Sequence, residues 1–226
     1  MTSNIWGHGL PAHEKKTFNT QYKHIPHYDI KGAYQSITYR LADSLPANVL
    51  KTIIEAVDKQ SLQTKQVEDL RRQKIEKYLD AGQGSCILQR PHIARIVIDN
   101  WQFFNKQRYD LIAYVVMPNH VHVLIKTYQQ WTLQKVMHSW KSYTAKEIKR
   151  LMFKMGEPPI PPEHIWQASY WDRFIRNDQH FFNTIDYIHN NPVKAGLCQS
   201  SSDWLASSIS GSMGEPPLSP IYGDKG

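Results

Sequence analysis

Cysteine is scarce in this chain, and long hydrophobic runs are missing. The two cysteines among the 226 residues, Cys86 and Cys198, lie far apart, so their spacing predicts neither a zinc motif nor a disulfide framework. No apolar run approaches the roughly 20 residues that a membrane span requires. The amino terminus also lacks the apolar segment found in secretion signals. These absences predict a cytoplasmic protein with no membrane partner.

Aromatic residues, by contrast, are abundant, with seven Trp, twelve Tyr and seven Phe. This composition excludes collagen-like, coiled-coil and fully disordered proteins, and the length suits one domain with a sizeable core, expected at residues 31–199. Residues 1–30 are polar, rich in histidine and without periodicity, which predicts a flexible arm. Residues 200–226 are rich in Ser, Gly and Pro, which predicts a disordered tail.

The charge balance favours an anionic partner. Lys and Arg number 27 against 20 Asp and Glu, which gives a net charge of +7 and a pI near 9.3. The basic excess lies in the body of the chain, because the last residues are weakly acidic. A basic globular body is typical of nucleic-acid-binding proteins, although it also serves solubility alone.

Hydrophobic periodicity predicts strands that alternate with helices. Extended segments are expected at residues 34–41, 109–116, 120–126 and 165–175. Helices are expected at residues 44–59, 61–79, 91–104, 132–152 and 178–194. Such an order, with short loops, predicts an α+β fold in which a single sheet is covered by helices on one side.

The segment MPNHVHVLI, residues 117–125, contains the first candidate site. Alternate side chains of a strand share one face, so His120 and His122 point the same way while Val121 and Val123 point into the core. Two imidazoles held on one strand can share a divalent ion. They can also be an ordinary pair of half-exposed histidines, and a hard cation would need a further ligand, expected to be oxygen.

The helix at residues 132–152 offers such a ligand. Tyr143 and Glu147 are four residues apart and therefore neighbours on one helical face. Glu147 could complete a His-His-carboxylate metal site, and Tyr143 would then lie within reach of a metal-bound phosphodiester as a nucleophile. The alternative is that Tyr143 packs and Glu147 pairs with Lys146 or Arg150.

Four motifs in the same order resemble the REP-associated tyrosine transposases, a branch of the single-tyrosine HUH transposases. They are LIAYVVMPNHVHVLI, SWKSYTAKEI, YWDRFIRN and YIHNNPVKAGL, and the resemblance extends over roughly residues 34–204. It implies a ferredoxin-like HUH nuclease domain with an antiparallel-rich sheet. It also places the two motif histidines at His120 and His122, the nucleophile at Tyr143 and a metal-binding position at Glu147.

The chemistry implied by the resemblance is the nicking and joining of single-stranded DNA near short palindromic hairpins. Mg²⁺ or Mn²⁺ would polarise a phosphate, and the tyrosine would form a 5′-phosphotyrosine link. The alternative is a hairpin-binding protein of the same fold with little or no cleavage. Tyr170 and Tyr187 also lie in matched motifs, so the nucleophile has to be mapped, and the active unit could be a monomer or a homodimer.

Basic residues interleaved with aromatic ones are the predicted DNA contacts, because cations bind phosphates and aromatic rings stack on bases. The candidates are Arg40, Arg71, Arg72, Lys141, Arg150, Trp171, Arg173 and Arg176, of which about half are expected to touch DNA. Asn190, in the matched motif YIHNNPVKAGL, is a further candidate that could equally be structural.

Overall fold

The computed structural model describes residues 32–60, 63–157 and 164–210. The predicted arm lies outside these residues, as do residues 211–226 of the predicted tail. Four strands and five helices follow one another in the order β1 (Tyr34–Arg40), α1 (Ala47–Asp58), α2 (Thr64–Asp80), α3 (Pro91–Phe104), β2 (Tyr109–Val116), β3 (His120–Thr127), α4 (Leu133–Lys154), β4 (Trp171–Phe174) and α5 (Asp178–Lys194). Each predicted strand and helix is present within a few residues of its expected bounds, except that the extended segment predicted at residues 165–175 contains only the short strand β4 and an isolated bridge at Trp166.

The four strands form one antiparallel sheet in the order β2-β3-β1-β4. Helices connect β1 to β2 and β3 to β4, so the chain follows the β-α-β-β-α-β path of the ferredoxin-like fold. The predicted α+β, antiparallel-rich, ferredoxin-like domain is therefore confirmed. The short turn between β2 and β3 places the histidine motif at the start of a central strand.

The larger core lies between one face of the sheet and the two crossover helices, α3 and α4. Val121 and Val123 of β3 point into it, as predicted, and are fully buried. Trp101 of α3 and Trp140 of α4 meet at its centre with ring centroids 6.0 Å apart. Burial of such large rings makes this face the main source of hydrophobic stabilisation.

The opposite face of the sheet is also covered, which corrects the prediction of helices on one side only. Leu124 of β3 packs there with Ile188 of α5. Because side chains alternate along a strand, His120 and His122 lie on the same side as Leu124. The histidines are therefore enclosed by α5 and by the end of α2. No helix in the described part of the chain is long and apolar enough to cross a bilayer.

The beginning of the predicted tail is folded onto the domain. Ser207 forms an isolated antiparallel bridge with Val115 and is 3% exposed, and Trp204 donates its indole N–H to the carbonyl of Val116 over 2.9 Å. The prediction that disorder begins at residue 200 is therefore wrong, because this segment satisfies backbone groups at the free edge of β2.

Replacing Trp204 with Ala tests this extension of the domain. We expect the free energy of unfolding to fall by about 2–3 kcal/mol, because one hydrogen bond and the apolar contacts on the α5 side of the sheet are lost. Chemical denaturation measures the change. The matched control is Leu205→Ala, since that side chain is 61% exposed and should change the value by less than about 0.5 kcal/mol. Equal effects would contradict the packing of this segment.

Candidate active site

His120 and His122 face each other on the strand where the sequence predicted a shared face. Both side chains are 1% exposed, and their Nε2 atoms are 3.1 Å apart. The rings are nearly perpendicular, with centroids separated by 4.9 Å. The strand therefore directs two imidazole nitrogens at one point, as a shared ligand would require.

The hydrogen bonds of Asn119 decide which nitrogen of His120 carries a proton. The amide nitrogen of Asn119 donates to the carbonyls of Leu79 and Gln83 at the end of α2, so its Oδ1 atom is the acceptor that faces Nδ1 of His120 at 2.7 Å. Nδ1 of His120 therefore donates, and Nε2 of the neutral ring presents a lone pair. Outer hydrogen bonds of this kind orient metal-binding histidines.

The surroundings keep both rings neutral. Burial lowers the pKa of His120 to about 3. Burial also holds the pKa of His122 well below its usual range, with further contributions from His120, Arg72 and Lys194. Nδ1 of His122 lies 2.8 Å from the hydroxyl of Thr38, which fixes that ring as well. Neutral imidazoles are the form that binds metal ions.

Two buried oxygen atoms beside the histidines have no hydrogen-bond partner. One is Oδ1 of Asn191 on α5, whose amide nitrogen lies 3.3 Å from Nε2 of His122. The other is Oδ1 of Asp80 at the end of α2, 3.8 Å from Nε2 of His120. Buried polar atoms without partners are rare. An oxygen-preferring divalent ion fits this set, because turning the Asn191 amide would aim an oxygen at the same point as the two nitrogens.

Tyr187 of α5 is the tyrosine that lies beside the histidines. Its ring is edge-on to His122, with centroids 5.3 Å apart, and its hydroxyl is buried beside the carboxylate of Glu76. Burial, together with the carboxylates of Glu76 and Asp80, raises the pKa of Tyr187. The hydroxyl is therefore protonated at neutral pH and must lose its proton before or during any nucleophilic attack.

Tyr143 and Glu147 are not brought to the histidines. Both lie on α4, which packs on the opposite face of the sheet, so the sheet separates them from the imidazoles. Tyr143 is 44% exposed, and Glu147 pairs with Arg150 at 2.8 Å, as the alternative interpretation allowed. Within the described ranges, no group of three or more His, Cys, Asp or Glu side chains is placed to hold a metal ion. The predicted His-His-Glu set and its neighbouring tyrosine are therefore wrong as a geometric arrangement.

The sequence contains a signal for the residues that were missed. Tyr187 and Asn191 are four residues apart on α5, the same spacing that drew attention to Tyr143 and Glu147. They also lie in the matched motif YIHNNPVKAGL. Local spacing alone does not tell which helix covers which face of the sheet, so the two pairs could be separated only by the fold.

A groove of about 530 Å³ lies between β1, α1, α2, β4 and α5, and Tyr187 is among the residues that line it. We call it the arginine groove. It contains most of the predicted DNA-binding residues, namely Arg40, Arg71, Arg72, Trp171, Arg173 and Arg176. Acidic side chains also line it: Glu68, Asp69, Glu76 and Asp172. Neighbouring arginines of the groove repel one another. The pKa of Arg173 is lowered mainly by burial and next by the positive charge of Arg72. An anionic ligand would relieve this repulsion.

Three predicted DNA contacts, Lys141, Arg150 and Asn190, lie outside the arginine groove. The ammonium of Lys141 donates to the carbonyls of Gln167, Ala168 and Ser169, and its burial lowers its pKa to about 7. Arg150 is bound to Glu147. Asn190 is exposed on α5 and donates to the carbonyl of Asp186.

Comparison with known proteins points to the family that the sequence motifs resemble. Residues 94–191, which include both histidines and Tyr187, match the family model described as "Transposase IS200 like". The REP-associated tyrosine transposase of Escherichia coli strain K12 is 31% identical over 96 residues, which cover 42% of this chain and 52% of the relative. A Haemophilus influenzae protein named "Putative REP-associated tyrosine transposase" is 26% identical over 104 residues, which cover 45% of this chain and 59% of the relative.

The chain thus spans little more than half the length of these curated relatives. Among solved structures, a REP-associated tyrosine transposase bound to a REP hairpin matches with a TM-score of 0.50 and 18% identity, over 83% of this chain and 82% of that one. This similarity concerns the fold. Together the matches confirm the resemblance to the REP-associated tyrosine transposases.

Proposed function

This chain resembles the REP-associated tyrosine transposases. We propose that it nicks and rejoins single-stranded DNA at short palindromic, REP-like hairpins. The observation that carries the proposal is the convergence of His120, His122 and Tyr187, of which Tyr187 also lines the arginine groove. A buried pair of neutral imidazoles, a tyrosine hydroxyl and a basic channel are the parts that a tyrosine-dependent DNA nuclease needs.

A divalent metal ion, Mg²⁺ or Mn²⁺, belongs to this proposal. His120 and His122 would hold it through Nε2, and the oxygen of Asn191 would complete the set in place of the predicted Glu147. When bound, such an ion polarises a phosphate oxygen and stabilises the negative charge that develops on it. Asp80 also has an unpartnered oxygen, 3.8 Å from Nε2 of His120, but it is not part of this ligand set.

Tyr187 replaces Tyr143 as the proposed nucleophile. Its hydroxyl oxygen attacks the phosphorus of the DNA strand, the bond between phosphorus and the 3′-oxygen breaks, and the released 3′-oxygen takes up a proton. The 5′-phosphate of the downstream strand stays on Tyr187. Attack by another 3′-hydroxyl reverses the step and joins a new pair of strands. Glu76 is the nearby carboxylate that can accept the phenolic proton, since its electrostatic influence on Tyr187 is among the causes of the raised pKa.

The arginine groove would guide the strand to Tyr187. Trp171 offers a surface on which a base can stack, and the arginines of the groove offer charge to the phosphates. Neither Lys141 nor Arg150 is part of this path, because both belong to α4 on the other face.

A pool of labelled oligonucleotides with a randomised palindromic stem and a randomised single-stranded flank tests the proposal. The protein is incubated with the pool in Mg²⁺, in Mn²⁺ or in a chelator, and bound and cut strands are sequenced. We expect enrichment of one hairpin class and a nick that requires the metal ion. Enrichment without a nick in either metal would favour a hairpin-binding protein over a transposase.

A further inference from the structure

Arg40 is a buried cation for which the fold provides no anionic partner. The residue is 3% exposed, and its Nη1 atom is buried without a hydrogen-bond partner. Among the residues that the structure describes, no carboxylate lies within ion-pair distance of it. The two groove arginines of α2 differ from Arg40 of β1, since Arg71 pairs with Asp58 and Arg72 with Glu76.

Such a guanidinium is costly to the folded protein. Removing it from water without a carboxylate loses hydration that nothing in the fold replaces. The guanidinium lies over the ring of Trp171, 5.6 Å from its centroid. This cation–π contact offsets part of the cost of burial, but it leaves N–H donors of Arg40 without an acceptor. Burial accordingly lowers the pKa of Arg40 to about 10, so the group is still charged at neutral pH.

The position of Arg40 indicates which ligand would meet these donors. It lines the arginine groove together with Trp171 and Tyr187. In the sheet it is paired directly with His120 of the neighbouring strand, and paired residues point to the same face. A ligand at Arg40 is therefore one strand away from the histidines and Tyr187. An anion with two oxygens spaced to accept two parallel hydrogen bonds suits the planar guanidinium best, and the two non-bridging oxygens of a phosphodiester have that spacing.

We propose that Arg40 binds the DNA phosphate immediately beside the one that is cut, and that it thereby sets the register of the strand over Tyr187. The inference rests on the proposed function and names a residue and a ligand group within it. The purely structural alternative is that Arg40 only stacks on Trp171 to hold β4 against β1.

The test replaces Arg40 with Met, which keeps a long apolar stem and removes the charge. Affinity for the hairpin oligonucleotide selected above is measured in a chelator, so that binding is separated from cleavage. We expect affinity to fall about 10- to 100-fold, the usual effect of losing a charge-assisted hydrogen bond. The melting temperature should be unchanged or higher, because an unpaired buried charge is gone. Arg95→Met is the matched control, since Arg95 is paired with Asp99 outside the groove and should change affinity less than about twofold.

The phosphate itself is located by replacing single phosphates of the oligonucleotide with uncharged methylphosphonates. At the position beside the cut, the substitution should weaken binding to the original protein but have no further effect on Arg40→Met, as expected for two partners in one contact. Additive losses at every position, or a lower melting temperature with unchanged affinity, would overturn the inference in favour of the stacking role.

Two further outcomes separate this inference from the proposed function. In the first, the effects of Arg40→Met and of the methylphosphonate beside the cut are non-additive, but no nick forms. That result would retain Arg40 as a phosphate-binding residue and reject the nuclease. In the second, a metal-dependent nick forms, but the two effects are additive, which would reject only the Arg40 inference. If inorganic phosphate raises the melting temperature through Arg40 while the DNA shows no coupling, the ligand is a free ion and the inference is also overturned.

Discussion

Replacing Tyr187 with Phe is expected to lower the rate of DNA cleavage by at least about 1,000-fold. The substitution removes only the hydroxyl oxygen, which is the proposed nucleophile, and the remaining groups cannot form the covalent bond to phosphorus. The ring contact with His122 is preserved, and the hydroxyl loses only its contact with Glu76, a carboxylate that also pairs with Arg72. Folding and hairpin affinity should therefore be unchanged. Single-turnover cleavage of the selected oligonucleotide in Mg²⁺ measures the effect.

Tyr143→Phe is the matched control for this experiment. Tyr143 lies on α4 with the sheet between its helix and the imidazoles, so the variant should cleave within about twofold of the original rate. A reversal of the two results, with Tyr143→Phe inactive and Tyr187→Phe active, would restore the assignment made from helical spacing. It would also mean that α4 or the chain around it is rearranged when DNA binds.

Replacing His120 or His122 with Ala is expected to reduce cleavage roughly 1,000-fold in either metal ion. Each variant removes one of two nitrogen ligands, and the single imidazole that remains is a poor site for a hard cation. Binding of Mn²⁺, followed by electron paramagnetic resonance, should weaken in parallel, which gives a readout that does not depend on activity. Hairpin binding in a chelator should be nearly unchanged, because neither side chain lines the arginine groove.

His138→Ala is a suitable control, since His138 is exposed on α4 and should leave both metal binding and cleavage as they were. Cleavage by His122→Ala at the original rate would show that the two imidazoles do not hold the catalytic metal. A variant that loses hairpin affinity together with its melting transition reports unfolding, so the melting temperature is recorded for each protein.

The strands and helices could be predicted because each carries a pattern that local physics dictates. The alternation in VHVLI sends Val121 and Val123 into the core and the histidines to the other face. The stripe that includes Trp140 marks α4 as a helix packed against the sheet. Both expectations depend only on neighbours along the chain, and both are confirmed.

The partner of the histidines could not be predicted in the same way. Spacing favours Tyr143 with Glu147 and Tyr187 with Asn191 equally, because both pairs are one helical turn apart. The choice depends on the face that each helix covers, which follows from the path of the chain after β4. The tail was misjudged for a related reason, since a Ser-rich segment can still supply one tryptophan and a few backbone groups to the edge of β2.

Mapping the covalent adduct identifies the tyrosine that attacks the DNA strand. The protein is incubated with the selected oligonucleotide and Mg²⁺, digested with trypsin and nuclease, and the nucleotide-bearing peptide is identified by mass. We expect the adduct on the peptide of residues 177–194, in which Tyr187 is the single tyrosine. An adduct on the peptide of residues 142–146, which contains Tyr143, or on the peptide ending at Arg173, which contains Tyr170, would contradict it.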